Sequence, residues 1–200
     1  ATTEIYTLSL HDALPIYPYV WLDALDMSNR EESNSVKVKV VVATAVSQQG
    51  FREILGVDVV TAEDGASWLA FLRGLKARGL AGVRLVVSDA HPGLKAAIAS
   101  VFTGSAWQRC RTHFITNLLA KIPKAAQPGI VALWRMIFLQ EDAASVRRQA
   151  AQILMLLEAR FPQAGELFAE ALDDVLAFTA FPKEHWRQIW SNNPQERLNK

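Results

Sequence analysis

Cysteine is nearly absent: Cys110 stands alone in 200 residues, so no intrachain disulfide can form and the disulfide-stapled secreted scaffolds are excluded. A reducing compartment, the cytoplasm, is the expectation. Long apolar runs are missing as well. Residues 40–46 already contain Thr44, and 131–139 are broken by Arg135, far short of the roughly 18 to 20 residues of a membrane-spanning helix. No membrane role is expected. Charge of either sign is not in excess, with 21 Lys and Arg against 20 Asp and Glu. That balance permits nucleic acid as a partner without demanding it. Repeats and low-complexity tracts are also lacking. What is present is a chain that is 50% hydrophobic and 20% charged, outside the composition of disorder and long enough to bury a substantial core.

The first sixteen residues differ from the rest. Their sequence, ATTEIYTLSLHDALPI, resembles the conceptual translation of a sequencing-library adapter, so few contacts with the remaining chain are expected of it. With Glu4 and Asp12 set aside, 21 basic and 18 acidic side chains remain, a net +3 for residues 17–200. Beyond them, residues 19–25 form an apolar run of strand length interrupted by Asp23, and 35–46 alternate as a half-exposed strand does. A third strand is predicted over 52–60, with Gly56 marking a bulge. Thr61 and Asp64 have capping spacing ahead of a helix that Gly79 stops. Residues 83–88 read as a strand ending at Asp89, Pro92 as a first helical position, 94–101 as a helix, and 106–110 as a last short strand. Strand signals then cease. Helical periodicity runs over 113–121, 125–139, 143–160, 163–179 and 184–190, punctuated by Pro123, Pro162 and Pro182. A new helix starts near Pro194.

The order strand, strand, strand, helix, strand, helix, strand is that of a ribonuclease-H-like mixed sheet core in an α/β protein, here followed by an all-helical block. In such an order the first strand lies beside the fourth, which would bring Asp23 and Asp89 together. A carboxylate inside an apolar strand needs a reason, because an unpaired buried charge costs several kcal/mol or more. Hard oxygen ligands suit Mg²⁺ or Mn²⁺, and a shared metal would set the two carboxylates about 4 to 7 Å apart. An Asp paired with a nearby Arg or capping a helix is the structural alternative for either residue. Asp26 and Asp58 are also strand-associated, Asp26 on the opposite face from Asp23.

Three motifs carry a resemblance. Val86-Val87-Ser88-Asp89-Ala90-His91-Pro92-Gly93, Trp107-Gln108-Arg109-Cys110-Arg111-Thr112-His113 and Trp190-Ser191-Asn192-Asn193-Pro194-Gln195-Glu196-Arg197 together resemble the Mutator-type transposases of bacterial insertion sequences, over about residues 17–200. The resemblance implies metal-dependent DNA strand cleavage and strand transfer. It implies a triad of Asp23, Asp89 and Glu196 holding two Mg²⁺ or Mn²⁺ ions. It divides the chain into a catalytic core over 17–112, a helical insertion over 113–190 and, over 191–200, the start of the core helix carrying Glu196. Terminal inverted repeats and target DNA are the implied partners, with homo-oligomerisation of the full-length protein and a bacterial, nucleoid-associated setting. The family's N-terminal DNA-binding region and the remainder of the last helix are not in these 200 residues, so weak activity or none is expected of this chain.

Arg109, Arg111, Lys121, Lys124, Arg187 and Arg197 are candidates for phosphate contacts, and a solvated charged face is the alternative for each. Glu196, three residues after Asn193, has the spacing of a capping box as well as its place in the motif. Cys110 and His113 form half of a zinc-type spacing with no second cysteine pair to complete it, and the family's Cys-x-x-His signature falls on them. His91 follows Asp89 and is placed either to hydrogen-bond the site or to start a helix in solvent. A catalytically dead remnant and an unrelated α/β metal-dependent hydrolase are the competing readings of the whole.

Overall fold

The computed structural model describes residues 7–8, 16–31, 34–60, 62 and 64–192. The protein divides into two compact units, one ending at Trp107 and the other beginning at Gln108.

The first unit is built on a six-stranded mixed sheet. Its strands are β1 (Thr7–Leu8), β2 (Tyr19–Glu31), β3 (Asn34–Val46), β4 (Arg52–Val60), β5 (Leu85–Ser88) and β6 (Ala106–Arg109), in the order β1-β4-β3-β2-β5-β6. β2, β3 and β4 form an antiparallel meander, whereas β5 returns parallel to β2. The return needs a crossover, which α1 (Gly65–Ala77) supplies; α2 (Pro92–Val101) follows β5. β5 is buried at all four positions, as expected of a parallel strand covered on both faces. Val20 and Leu22 of β2, Val41, Ala43 and Ala45 of β3 and Leu55 of β4 project to one face, where they meet Trp68, Leu72 and Leu75 of α1 and Leu94 and Ile98 of α2. Fully buried apolar side chains of this size each contribute about 1.5 to 3 kcal/mol, so this interface fixes which face of every strand is inward.

Four sequence expectations change in detail. β2 runs on to Glu31 because β3 pairs with it residue for residue as far as Glu31↔Asn34, overriding the polar composition after Asp26. The bulge falls on Leu55, beside Gly56: the register passes from Ala43↔Gly56 to Thr44↔Ile54. Asp64 is itself the cap of α1, accepting from the Ser67 N–H at 2.8 Å, so the capping pair lies three residues later than Thr61 and Asp64. Finally, Thr7 and Leu8 pair in parallel with Glu53 and Ile54 of β4, a sheet contact within the first sixteen residues.

The second unit is helical: α3 (Arg111–Leu119), α4 (Gln127–Ile137), α5 (Ala143–Arg160), α6 (Pro162–Leu176) and α7 (Trp186–Ile189), with 3₁₀ turns over Ala177–Ala180 and Lys183–His185 between α6 and α7. Its core is aromatic. Phe114, Trp134 and Phe168 pack at centroid distances of 5.4 to 5.9 Å. Phe138, Phe178 and Trp190 pack at 5.1 to 5.8 Å, mostly edge to face, the arrangement ring quadrupoles favour. Gly165 brings α6 close to α5: a Cβ there would sit 2.8 Å from the Glu158 nitrogen. Among the described residues no helix is long and apolar enough to cross a membrane.

Candidate active site

Asp23 sits within β2, opposite Val42 of β3, and Asp89 is the first residue after β5. The parallel register pairs Tyr19 with Leu85, Val20 with Val86 and Trp21 with Val87. Continued two residues further, it sets Asp23 level with Asp89. Partners across a parallel ladder point to the same side, and side chains alternate along each strand. Asp23 therefore shares its face with Trp21, and Asp89 its face with Val87, opposite the face that packs on α1 and α2. Both acids are half-buried. They lie at the carboxyl end of a parallel strand pair, where open α/β sheets place their ligands.

The turn after β5 is held tightly. Trp107 Nε1 donates to Ser88 Oγ at 2.8 Å, and Ser88 Oγ donates to the Asp89 carbonyl at 2.9 Å. The Ala90 N–H donates to Asp89 Oδ1 at 2.7 Å. Asp89 Oδ2 has no hydrogen bond or ion pair among the described residues. His91 is the N-cap of α2, its Nδ1 accepting from the Leu94 N–H at 3.3 Å. Pro92 at the first helical position had already marked the preceding residue for this role. Lys95 Nζ lies 4.3 Å from the Trp107 ring. Asp26, on the other side of β2, is exposed and pairs with Lys39 at 3.0 Å.

The remaining candidates belong to the helical unit, apart from Glu196 and Arg197, which lie outside the described residues. Cys110 is fully buried just before α3, and its Sγ accepts from the Asn192 N–H at 3.2 Å. His113 is half-buried within α3. Among the described residues no group of three or more His, Cys, Asp or Glu side chains is gathered. The Arg109 guanidinium lies 4.8 Å from the Phe114 ring, and that of Arg111 lies 4.6 Å from the Phe138 ring and 4.2 Å from the Trp190 ring. Burial, reinforced by Arg135, lowers Arg111 to about 10, still cationic at neutral pH. Lys121, Lys124 and Arg187 are exposed.

Sequence reasoning missed Gln108. It is fully buried, donating from Nε2 to the carbonyls of Arg109 and Val175 at 2.7 Å each and accepting the Phe178 N–H at 2.7 Å. A polar residue inside the short 106–110 strand was the available signal.

The fold and site together define a mixed α/β protein with one acidic residue within β2 and another directly after β5, the strand that runs parallel to it, followed by a helical unit. Comparison narrows this. The model of the family described as "Transposase, Mutator family" matches residues 8–200, and the chain belongs to that family. It is 52% identical over 189 residues to the transposase for insertion sequence element IS1081 of Mycobacterium tuberculosis, covering 94% of this chain and 45% of the relative. It is 34% identical over 183 residues to the transposase for ISRM5 of Rhizobium meliloti, covering 92% and 46%. Against the transposase for IS256 in transposon Tn4001 of Staphylococcus aureus it is 33% identical over 186 residues, covering 92% and 47%. The chain thus spans a little under half the length of these relatives.

Proposed function

We propose that this chain carries catalytic residues of a DNA transposase. In this reading a ribonuclease-H-like sheet presents Asp23 and Asp89, Glu196 completes the set, and the helical unit is an insertion ahead of Glu196. The observation that carries it is the β2–β5 register, whose last pair is Trp21↔Val87; continued two residues further, it would bring Asp23 level with Asp89. The strand order β4-β3-β2-β5-β6 supports it: three antiparallel strands in sequence, then a crossover returning parallel to the first of them.

The donor set fits divalent metal. Asp89 is half-buried, one oxygen is oriented by the Ala90 N–H, and the other has no cation or donor among the described residues. Removing a carboxylate partly from water without a counter-charge is costly, and hard oxygen donors suit Mg²⁺ or Mn²⁺. Asp23, Asp89 and Glu196 are the residues that would hold two such ions, and bound ions would supply Lewis-acid activation of an attacking oxygen and charge stabilisation of the leaving one. The protein's own contribution is position. The meander fixes Asp23 between two strands, and the Trp107, Ser88 and Ala90 hydrogen bonds fix the turn bearing Asp89. The exposed Lys121, Lys124 and Arg187 are suited to backbone phosphates, which position DNA without reading its sequence. Terminal inverted repeats and target DNA are the proposed substrates, and assembly of several copies belongs to the whole protein.

The test is Mg²⁺- or Mn²⁺-dependent cleavage of duplex DNA bearing an insertion-sequence end. Asp23→Asn, Asp89→Asn and Glu196→Gln should each lower the rate at least roughly a hundredfold, the loss of several kcal/mol of charge stabilisation. Mn²⁺ should raise the unfolding temperature of the parent chain and not of Asp89→Asn, since an ion bound only to the folded form stabilises it. Cleavage indifferent to both aspartates would end the assignment. Mn²⁺ binding without cleavage by the 200-residue chain would mark it as a remnant.

A further inference from the structure

Arg135 interrupts the apolar run over 131–139 and has no part in the site above. On α4 it stands one helical turn after Val131, and on α3 Ile115 stands one turn after Arg111. Residues so spaced share a helix face, so each helix offers one arginine and one aliphatic side chain. These four meet within the helical unit, where with Thr112 and Trp134 they line a cleft of about 200 Å³ between α3 and α4. Trp134 is buried and packs on Phe114, Phe138 and Phe168 at 5.1 to 5.8 Å, so the cleft is floored by the aromatic core. Among the described residues no acidic side chain lines it, and neither guanidinium has an ion pair or a hydrogen bond. Arg111 is half-buried and Arg135 exposed. The Phe138 and Trp190 rings hold the Arg111 cation without offering it a hydrogen-bond acceptor. Burial first, and then the charge of Arg135, work against that cation, a cost that a bound anion would offset.

We infer that the α3–α4 cleft is a seat for one backbone phosphate of DNA, gripped by Arg111 and Arg135 together. The inference rests on the reading of the chain as a DNA transposase. A phosphodiester has two unbridged oxygens, one for each guanidinium, and planar forked donors suit phosphate better than a lysine does. The aliphatic side chains beside the arginines suit the carbon atoms of the adjoining deoxyribose. Such a contact positions the duplex without reading its sequence. It differs from the contacts proposed for Lys121 and Lys124 in being built: one of its cations is half-buried and held on two rings, so less side-chain freedom is lost on binding.

The experiment measures duplex DNA binding by fluorescence anisotropy, and the backbone amide shift of Thr112 by NMR, for the 200-residue chain and its variants. Because the two arginines share one phosphate, the double change Arg111→Gln, Arg135→Gln should lower the salt slope of log K by about 1. Affinity should then fall about tenfold at about 50 mM salt and about fourfold at about 200 mM. Duplex DNA should shift the Thr112 amide of the parent, and at least roughly threefold less in Arg135→Gln, as expected when one of two charge-assisted contacts is lost. Should the double variant fail to fold, Arg135→Gln carries the test, since Arg135 is exposed. An unchanged slope in the double variant, or an unchanged Thr112 shift in Arg135→Gln, would overturn the seat, and so would a slope lowered by about 2, which would mean two separate contacts. Inorganic phosphate separates the sources of the anion: a Thr112 shift with phosphate but none with the duplex would overturn the assignment to DNA. None of these outcomes touches the transposase reading, which stands or falls on metal-dependent cleavage by Asp23→Asn and Asp89→Asn.

Discussion

Gln108 has no solvent exposure and uses both ends of its amide, tying the Phe178 N–H and the Val175 carbonyl to the residues that lead into α3. Gln108→Leu keeps the approximate volume and strands those groups in a dry interior, so it should cost about 2 to 4 kcal/mol in denaturant unfolding. A loss below about 1 kcal/mol would mean that water reaches them. Asp142 presents the opposite situation, a cap at the surface. Its carboxylate accepts from the Ser145 hydroxyl at 2.6 Å and the Ser145 N–H at 2.8 Å. These bonds, side-chain first and backbone second, hold its pKa below the usual carboxylate value. A carboxyl lowered by folding stabilises the protein above its unfolded pKa and loses that contribution as pH falls through the folded one. Asp142→Ala should therefore be less stable than the parent by a steady margin from pH 7 to about 5, and by a shrinking one below. Thermal melts at pH 7, 5 and 3 read this directly; an equal margin at all three would exclude the linkage.

The crossing of α1 and α2 is decided by two glycines. A Cβ on Gly93 would lie 2.7 Å from the Gly65 nitrogen and 2.8 Å from its Cα, all backbone, whereas a Cβ on Gly74 of α1 would meet nothing within 4 Å. Gly93→Ala should then cost about 1 to 3 kcal/mol as the helices are forced apart. Gly74→Ala should gain about 0.5 to 1 kcal/mol through helix propensity alone. Urea midpoints for the two variants should move in opposite directions, and movement together would place the close approach elsewhere. Elements at this scale were largely legible because period 2 and period 3.6 are written locally, as in the alternation before Val46 or the spacing of Trp68, Leu72 and Leu75. What escaped was set by partners: β2 extends to Glu31 only because β3 lies beside it. Residues 184–190, read as one helix, are a 3₁₀ turn over Lys183–His185 and a single helical turn over Trp186–Ile189, with Trp186 and Trp190 both packed on Phe178.

Across the whole molecule, charge is balanced and its cations are used in two ways. Arg109 and Arg111 lie on rings, while Lys121 and Lys124 are exposed. If the exposed pair contacts DNA phosphates, the double change Lys121→Gln, Lys124→Gln should reduce the salt slope of log K by about 2, roughly one unit per lost contact, with little effect on sequence preference. Fluorescence anisotropy between about 50 and 200 mM salt gives the slope, and an unchanged slope would remove both lysines from the interface. The acids of the site were legible through their motifs and the neighbouring of their strands through the element order, but the β2–β5 register was not, because it joins residues 66 positions apart and no local pattern encodes it. The Cys110–Asn192 contact, 82 positions apart, was hidden for the same reason. That long-range pairing also orders events in time. The meander closes through neighbouring strands and forms early, whereas β5 docks only after a crossover, and loops of that length slow the final pairing. The pairing of Asp89 with Asp23 is therefore expected to follow that of the meander, since it waits on closure of the crossover through α1.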